Sequence, residues 1–287
     1  MAFLIPGISF GVYEKALPAK LDWPGLLTSA ARSGFDFLEM SIDPSQQRLS
    51  RLDWSWNERI QLRHQMEDAR LWIHSICLSA HRENPLGSRD PEIRQRGMRI
   101  MQKTIELAHD LGVRLIQVAG YDTYGEPSCE TSRQYYRDGV AQATDWASQA
   151  GILLGLENQE RGYVDSISTA VEVVSLINSP YLGLYSDVGN LIVNELDVAS
   201  EIQMARGKLF GIHVKDTKPG IPRRVPFGEG QVPFNLVFEQ LIAIRFRGVI
   251  TVEMWNDNLS NAEQVSSQSC KMIKGHLEEA WQNAIVI

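Results

Sequence analysis

Eight short apolar runs punctuate the chain, each followed by a loop and then by a segment with helical spacing. They cover residues 5–10, 35–40, 72–78, 114–119, 152–156, 182–185, 210–214 and 249–254. Within a run the apolar character is near-continuous rather than alternating, the pattern of parallel strands covered on both faces. Between runs, Ile93, Gly97, Ile100, Met101, Ile105 and Ala108 recur at three- and four-residue intervals, as do Val265, Met272, Ile273, Leu277 and Trp281. Gly34, Gly112 and Gly151 stand where helices should stop before the next strand. With no linker or low-complexity stretch between the units, this order predicts an α/β fold: a (β/α)8 TIM-type barrel forming a single domain over residues 1–287. An open doubly wound sheet is the alternative, but no G-x-G-x-x-G follows the first run.

A chain of 287 residues suits either two average domains or one such barrel. Its formal net charge of −7 argues against a protein that coats nucleic-acid phosphates. Cys77, Cys129 and Cys270 are odd in number and far apart, which excludes a disulfide framework and predicts a reducing, cytoplasmic setting. The apolar start lacks a basic flank and is broken by Pro6 and Gly7, so it reads as a strand rather than a signal peptide. No apolar run approaches the ~20 residues of a membrane span, so no membrane partner is expected.

In this fold, active sites lie at the C-terminal ends of the strands. Four consecutive runs end in metal-type ligands: Glu157 after the fifth, Asp187 after the sixth, His213 in the seventh and Glu253 in the eighth. Singly, each has an ordinary reading, a helix cap or salt-bridge carboxylate and a core histidine. Together on adjacent strands they predict one divalent ion, such as Zn²⁺, Mn²⁺ or Co²⁺, at a shared rim.

The segments IHVKDTKPG (212–220) and PFGEG (226–230) resemble the sugar-phosphate isomerase/epimerase superfamily of xylose-isomerase-like barrels. GVYEKALP (11–18), LSRLDWS (49–55), CLSAHR (77–82) and PLGS (85–88) narrow the resemblance to the L-xylulose 5-phosphate/L-ribulose 5-phosphate 3-epimerases of L-ascorbate catabolism. It runs from near residue 7 to near 256. It implies that Glu157, Asp187, His213 and Glu253 hold the metal, Zn²⁺ or Mn²⁺, and that Glu157 and Glu253 are also the catalytic acid/base pair. It further implies a sugar phosphate substrate and a homodimer. Epimerisation at C3 of a ketopentose 5-phosphate removes a proton beside a carbonyl, passes through a metal-stabilised enediolate, and returns the proton on the other face. Two carboxylates on opposite sides suit that task.

A phosphate needs its own contacts. The loop at 255–259 has no glycine pair and no positive charge, unlike the usual phosphate site after the last strands. Gly87 and Ser88, just before a helix opening at Asp90-Pro91, offer backbone amides and a helix N-terminus, with Lys15 and Arg82 on the same rim. The ordinary readings are a helix cap for Ser88 and a solvated loop for Lys15. His81 either bonds a substrate hydroxyl or serves the core. Lys215 either meets substrate oxygens or holds a ligand carboxylate, and Asn158 and Asn190 either orient ligands or touch substrate. Residues 41–56, with Arg48, Arg51, Trp54 and Trp56, exceed ordinary loop length and read as a cover for the substrate or a tryptophan-anchored loop.

Three alternatives remain open at this point. An aldose–ketose isomerase would use the same four ligands. A DNA-repair endonuclease on this barrel would need more histidines than the six present, and Asn190 stands where its D-x-x-H pattern needs one. An inert sugar-binding barrel is the third.

Overall fold

The computed structural model describes residues 7–256 and 258–285. Eight parallel strands close into a barrel: β1 (Ile8–Tyr13), β2 (Phe37–Ile42), β3 (Trp72–Leu78), β4 (Leu115–Ala119), β5 (Leu153–Glu157), β6 (Leu182–Asp187), β7 (Leu209–Val214) and, after a hairpin, β10 (Gly248–Val252). Around the barrel the order is β1, β10, β7, β6, β5, β4, β3, β2, so closure comes from β1 pairing with β10. This is the (β/α)8 TIM-type fold that the run pattern predicts. The described strand ends lie within three residues of the expected ones, and β3 matches its run at both ends. The largest shift is in β1, for which Ile5 and Pro6 of the predicted strand lie outside the described residues.

Helices cover the outside, with α1 (Trp23–Arg32), α2 (Gln46–Leu49), α3 (Trp56–Ala69), α4 (Pro91–Leu111), α5 (Glu130–Ala150), α6 (Ile167–Ile177), α7 (Val188–Val193), α8 (Val198–Met204), α9 (Phe234–Ala243) and α10 (Ala262–Ile285). Their starts are set by short polar side chains that satisfy the first free amides: Asp22 for α1, Ser55 with Glu58 for α3, Asp90 for α4 and Ser166 for α6. Gly112 and Gly151 end α4 and α5 in the left-handed region, at φ 76° and 68°, where a side chain would be strained.

Two apolar layers result. The larger lies between strands and helices, and the smaller fills the lower lumen with Phe37, Leu115, Tyr185 and Val249. Above that floor the lumen is lined by polar side chains, which places the functional groups at the strand C-termini.

The pattern of runs gives no sign of two further elements. After β7 the chain makes an antiparallel hairpin of β8 (Asp216–Lys218) and β9 (Ile221–Val225). It is held by Asp216, whose carboxylate accepts the amides of Thr217, Gly228, Gly230 and Val232 at 2.9–3.3 Å. Residues 41–56 are also ordered rather than an open cover. They form α2 and a short 3-10 turn (Ser50–Asp53), tied to the first loop by Arg48 and Arg51, which bind the buried Glu14 at 2.7 and 2.6 Å. Trp54 packs edge-on against Trp23, while Trp56 is 60% exposed. Among the described residues no helix is long and apolar enough to cross a membrane.

Candidate metal centre and active site

Glu157 ends β5, Asp187 ends β6, His213 lies near the end of β7, and Glu253 immediately follows β10. All four are buried, and one ligand atom from each falls within 4.8 Å of those of the others. The strand order explains the convergence, because β5, β6, β7 and β10 are successive staves. Asp187 combines two roles. Its Oδ1 accepts the Asn190 amide at 2.9 Å and caps α7, while Oδ2 faces the cluster, with the Lys215 ammonium 2.9 Å away. Glu253 Oε2 has no hydrogen-bond partner and lies 3.5 Å from the same ammonium. One ammonium shared between buried carboxylates leaves negative charge uncompensated, which is costly unless a further cation meets it. Three carboxylates and an imidazole form a donor set suited to a divalent ion, so the residues present fit one.

Neighbours hold each group in place. Gln117 donates to Glu157 Oε2 at 2.6 Å, Gln159 donates to the same oxygen, and Glu157 Oε1 lies 2.7 Å from His213 Nδ1. Asn158 and Asp187 exchange hydrogen bonds between β5 and β6, at 2.9 and 2.8 Å. Asn190 donates to the Asn158 carbonyl at 2.8 Å and accepts from Lys215 Nζ at 2.9 Å. Lys215 is buried and sits 2.9 Å from Asp187 Oδ2 and 3.5 Å from Glu253 Oε2. Of its two readings, these distances describe the carboxylate contact.

The electrostatics follow from this crowding. Burial, reinforced by Glu253 and Glu157, pushes Asp187 up to about 7 despite Lys215. Burial opposes the charge of Glu253 too, but Lys215, His213 and Arg223 overcome it and hold that carboxyl at about 2. His213, flanked by carboxylates, is raised well above its ordinary range despite its burial.

The groups expected to meet a phosphate have mixed positions. Lys15 Nζ is paired with Asp43 at 2.5 Å. Arg82 is mostly buried beside the Tyr121 ring, makes no ion pair among the described residues, and leaves its Nε without an acceptor. The amides of Gly87 and Ser88 are not free, contrary to expectation: they donate to Asp122 O at 2.9 Å and Pro85 O at 3.2 Å. Gly87 is there for close packing, since a Cβ would lie 2.4 Å from the carbonyl oxygens of Asp122 and Ser132. The nearby α4 N-terminus is capped by Asp90, and Ser88 Oγ contacts Glu126 at 3.4 Å, so local negative charge replaces the expected anion. His81 is buried with Nε2 3.2 Å from the Gly97 carbonyl, and burial lowers it to about 4. That is the core reading.

Several polar groups of this site do not stand at the ends of the runs. Glu39, Gln117, Tyr185 and Thr251 lie inside apolar runs; the signal that could have found them is a lone polar residue of inward parity in each strand. Glu160 and Arg223 form a 2.8 Å pair across the barrel mouth. The hairpin that carries Arg223 leaves no mark in the run pattern.

The chain belongs to the xylose isomerase-like TIM barrel family, whose profile matches residues 27–276. Within that class it is 41% identical over 273 residues to the L-ribulose-5-phosphate 3-epimerase UlaE of Salmonella heidelberg, covering 95% of this chain and 96% of the relative. It is 40% identical over 273 residues to the protein of the same name from Escherichia coli (strain SMS-3-5 / SECEC), with the same coverage. A solved L-ribulose 3-epimerase superposes with a TM-score of 0.82 at 20% identity, covering 97% of both chains. D-psicose 3-epimerase from Clostridium cellulolyticum H10, with D-tagatose, gives 0.80 at 17%, over 94% of this chain and 99% of the other. These relatives and structural neighbours are sugar epimerases.

Proposed function

We propose that this chain is a metal-dependent 3-epimerase that interconverts L-ribulose 5-phosphate and L-xylulose 5-phosphate. The observation that carries the reading is the buried Glu157–Asp187–His213–Glu253 cluster, three carboxylates and an imidazole with ligand atoms within 4.8 Å of one another, in a chain 41% identical to an L-ribulose-5-phosphate 3-epimerase.

Glu157 and Glu253 stand on strands separated by two others, so they approach a carbon held between them from different sides. One takes the C3 proton, and the other delivers a proton to the opposite face; in the reverse direction they exchange roles. Gln117, Gln159 and His213 fix the carboxylate of Glu157, which limits its rotation during transfer. A divalent ion held by Glu157, Asp187, His213 and Glu253, Zn²⁺ or Mn²⁺, would supply Lewis acidity toward the ketone. Lys215 and Asn190 steady Asp187 and Glu253 and complete the polar wall next to the substrate.

Arg82, with its unpaired guanidinium at the mouth, is our candidate for the phosphate charge. Lys15 contributes on exchanging Asp43 for the anion, whereas Gly87 and Ser88 shape that wall without free amides. We further infer a one-domain cytoplasmic homodimer that serves L-ascorbate degradation.

The test is proton NMR of the metal-loaded protein with L-xylulose 5-phosphate in D₂O. L-Ribulose 5-phosphate carrying deuterium at C3 is expected. Deuterium at C1 of an aldose product would make the enzyme an isomerase, and the absence of exchange would sink both readings.

A further inference from the structure

The reaction described above gives no task to Glu39, a carboxylate in the middle of β2 that is fully buried between apolar neighbours in sequence. Its Oε1 lies 2.6 Å from His213 Nε2, the imidazole nitrogen that faces away from the cluster. Its Oε2 accepts from Ser75 Oγ and from Tyr185 OH, both at 2.7 Å, and the Tyr185 hydroxyl is also 2.7 Å from Thr251 Oγ1. Five strands thus converge on one carboxylate and its imidazole. The barrel makes room for this arrangement: a Cβ on Gly155 or Gly211 would fall 2.7 Å from the Tyr185 side chain. Among the described residues no lysine or arginine pairs with Glu39, and His213 is the basic group it contacts. Burying a carboxylate under those terms is costly, so packing alone is a poor reason for a glutamate here.

We propose that Glu39 is the positioning residue for His213, accepting the Nε2 proton so that the Nδ1 lone pair is presented to the divalent ion. The inference rests on the metal-centred reading above and adds a residue to it. A neutral imidazole carries one N–H, and only the tautomer protonated at Nε2 can ligate through Nδ1, the nitrogen 2.7 Å from Glu157. An ionised carboxylate accepts and cannot donate, so it selects that tautomer; the two donors on its far oxygen keep it from turning away. A glutamine at this position offers either an oxygen or an NH₂ group and loses the selection. Tyr185 completes the clamp through its hydroxyl and through its ring, which lies edge-on to His213 with centroids 4.7 Å apart.

The experiment is calorimetric titration of metal-free protein with Mn²⁺, using wild type, Glu39→Gln and Tyr185→Phe, with melting curves of each metal-free form. Glu39→Gln is expected to weaken Mn²⁺ binding roughly 10–100-fold, the usual effect of losing a carboxylate behind a ligating histidine, and to lower the metal-free melting temperature as well, because it removes one partner of the buried His213 pair. At saturating Mn²⁺ most of kcat should return, since the substitution acts through metal affinity. Tyr185→Phe should weaken binding by a smaller factor. Mn²⁺ affinities within twofold of wild type in the folded variants would overturn the inference, and Tyr185→Phe decides the matter if Glu39→Gln does not fold. Failure of wild type itself to bind either Mn²⁺ or Zn²⁺ would overturn the proposed function along with it, which separates the two failures.

Discussion

Lys215 and Asp187 form a buried ion pair, Nζ to Oδ2 at 2.9 Å, inside a cluster that holds two further carboxylates. Without Lys215 those carboxylates would share the lumen with only His213 and the more distant Arg223 as cations. Lys215→Met should therefore destabilise the metal-free protein by about 3–5 kcal/mol, the range for removing one partner of a buried pair. A divalent ion restores positive charge at the same carboxylates, so the loss should shrink when metal is present. Melting curves with and without Mn²⁺ check this; equal losses in both states would contradict it.

Glu157→Gln and Glu253→Gln preserve shape while removing a base. Each should lower turnover by roughly 10²–10⁴-fold, the contribution of a positioned acid/base group. Metal binding should persist in weakened form. Kinetics at saturating metal provide the comparison, and near-normal turnover in either variant would mean that only one carboxylate moves protons.

His81 supplies a pH dependence of stability. Burial lowers its folded-state value to about 4 from an ordinary 6.5, so the unfolded chain binds the proton more readily between those limits. Stability from this group is complete above the ordinary value and declines as pH falls toward 4, by about 3 kcal/mol over the window. Urea unfolding of wild type and His81→Gln at pH 7 and pH 4.5 isolates the contribution. The variant should show the shallower acid loss.

Arg82 tests the phosphate end. Arg82→Met should raise KM for L-xylulose 5-phosphate by roughly 10–100-fold, as expected for one lost charge-assisted contact, while leaving kcat within a few-fold. The same substitution should have little effect on an unphosphorylated ketopentose. Equal effects on both substrates would place the phosphate elsewhere.

The barrel and the four-residue cluster were readable before any coordinates because two regularities combine. Near-continuous apolar runs followed by helical periods demand parallel strands covered on both sides, and that closed fold exposes the strand C-termini on one rim. Glu157, Asp187, His213 and Glu253 occupy those termini, so position along the chain already gave their position in space. Arg82, Lys15, Gly87 and Ser88 were also placed on that rim, but their partners were not. Asp43 and Asp122 come from other loops, and only packing shows that they engage the Lys15 ammonium and the Gly87 amide.

Glu39 marks the boundary most sharply. Along the chain it is one charged residue between Leu38 and Met40; its parity marks it as lumen-facing, but nothing local names the groups it meets there. Its partners Ser75, Tyr185, His213 and Thr251 are 36 to 174 positions away from it or from one another in the network. Repeating strand and helix periods are short-range properties that residue order determines directly. Which imidazole nitrogen carries the proton, and which carboxylates keep an oxygen for a cation, depends on distances set by closure of the barrel, and those exist only in the tertiary structure.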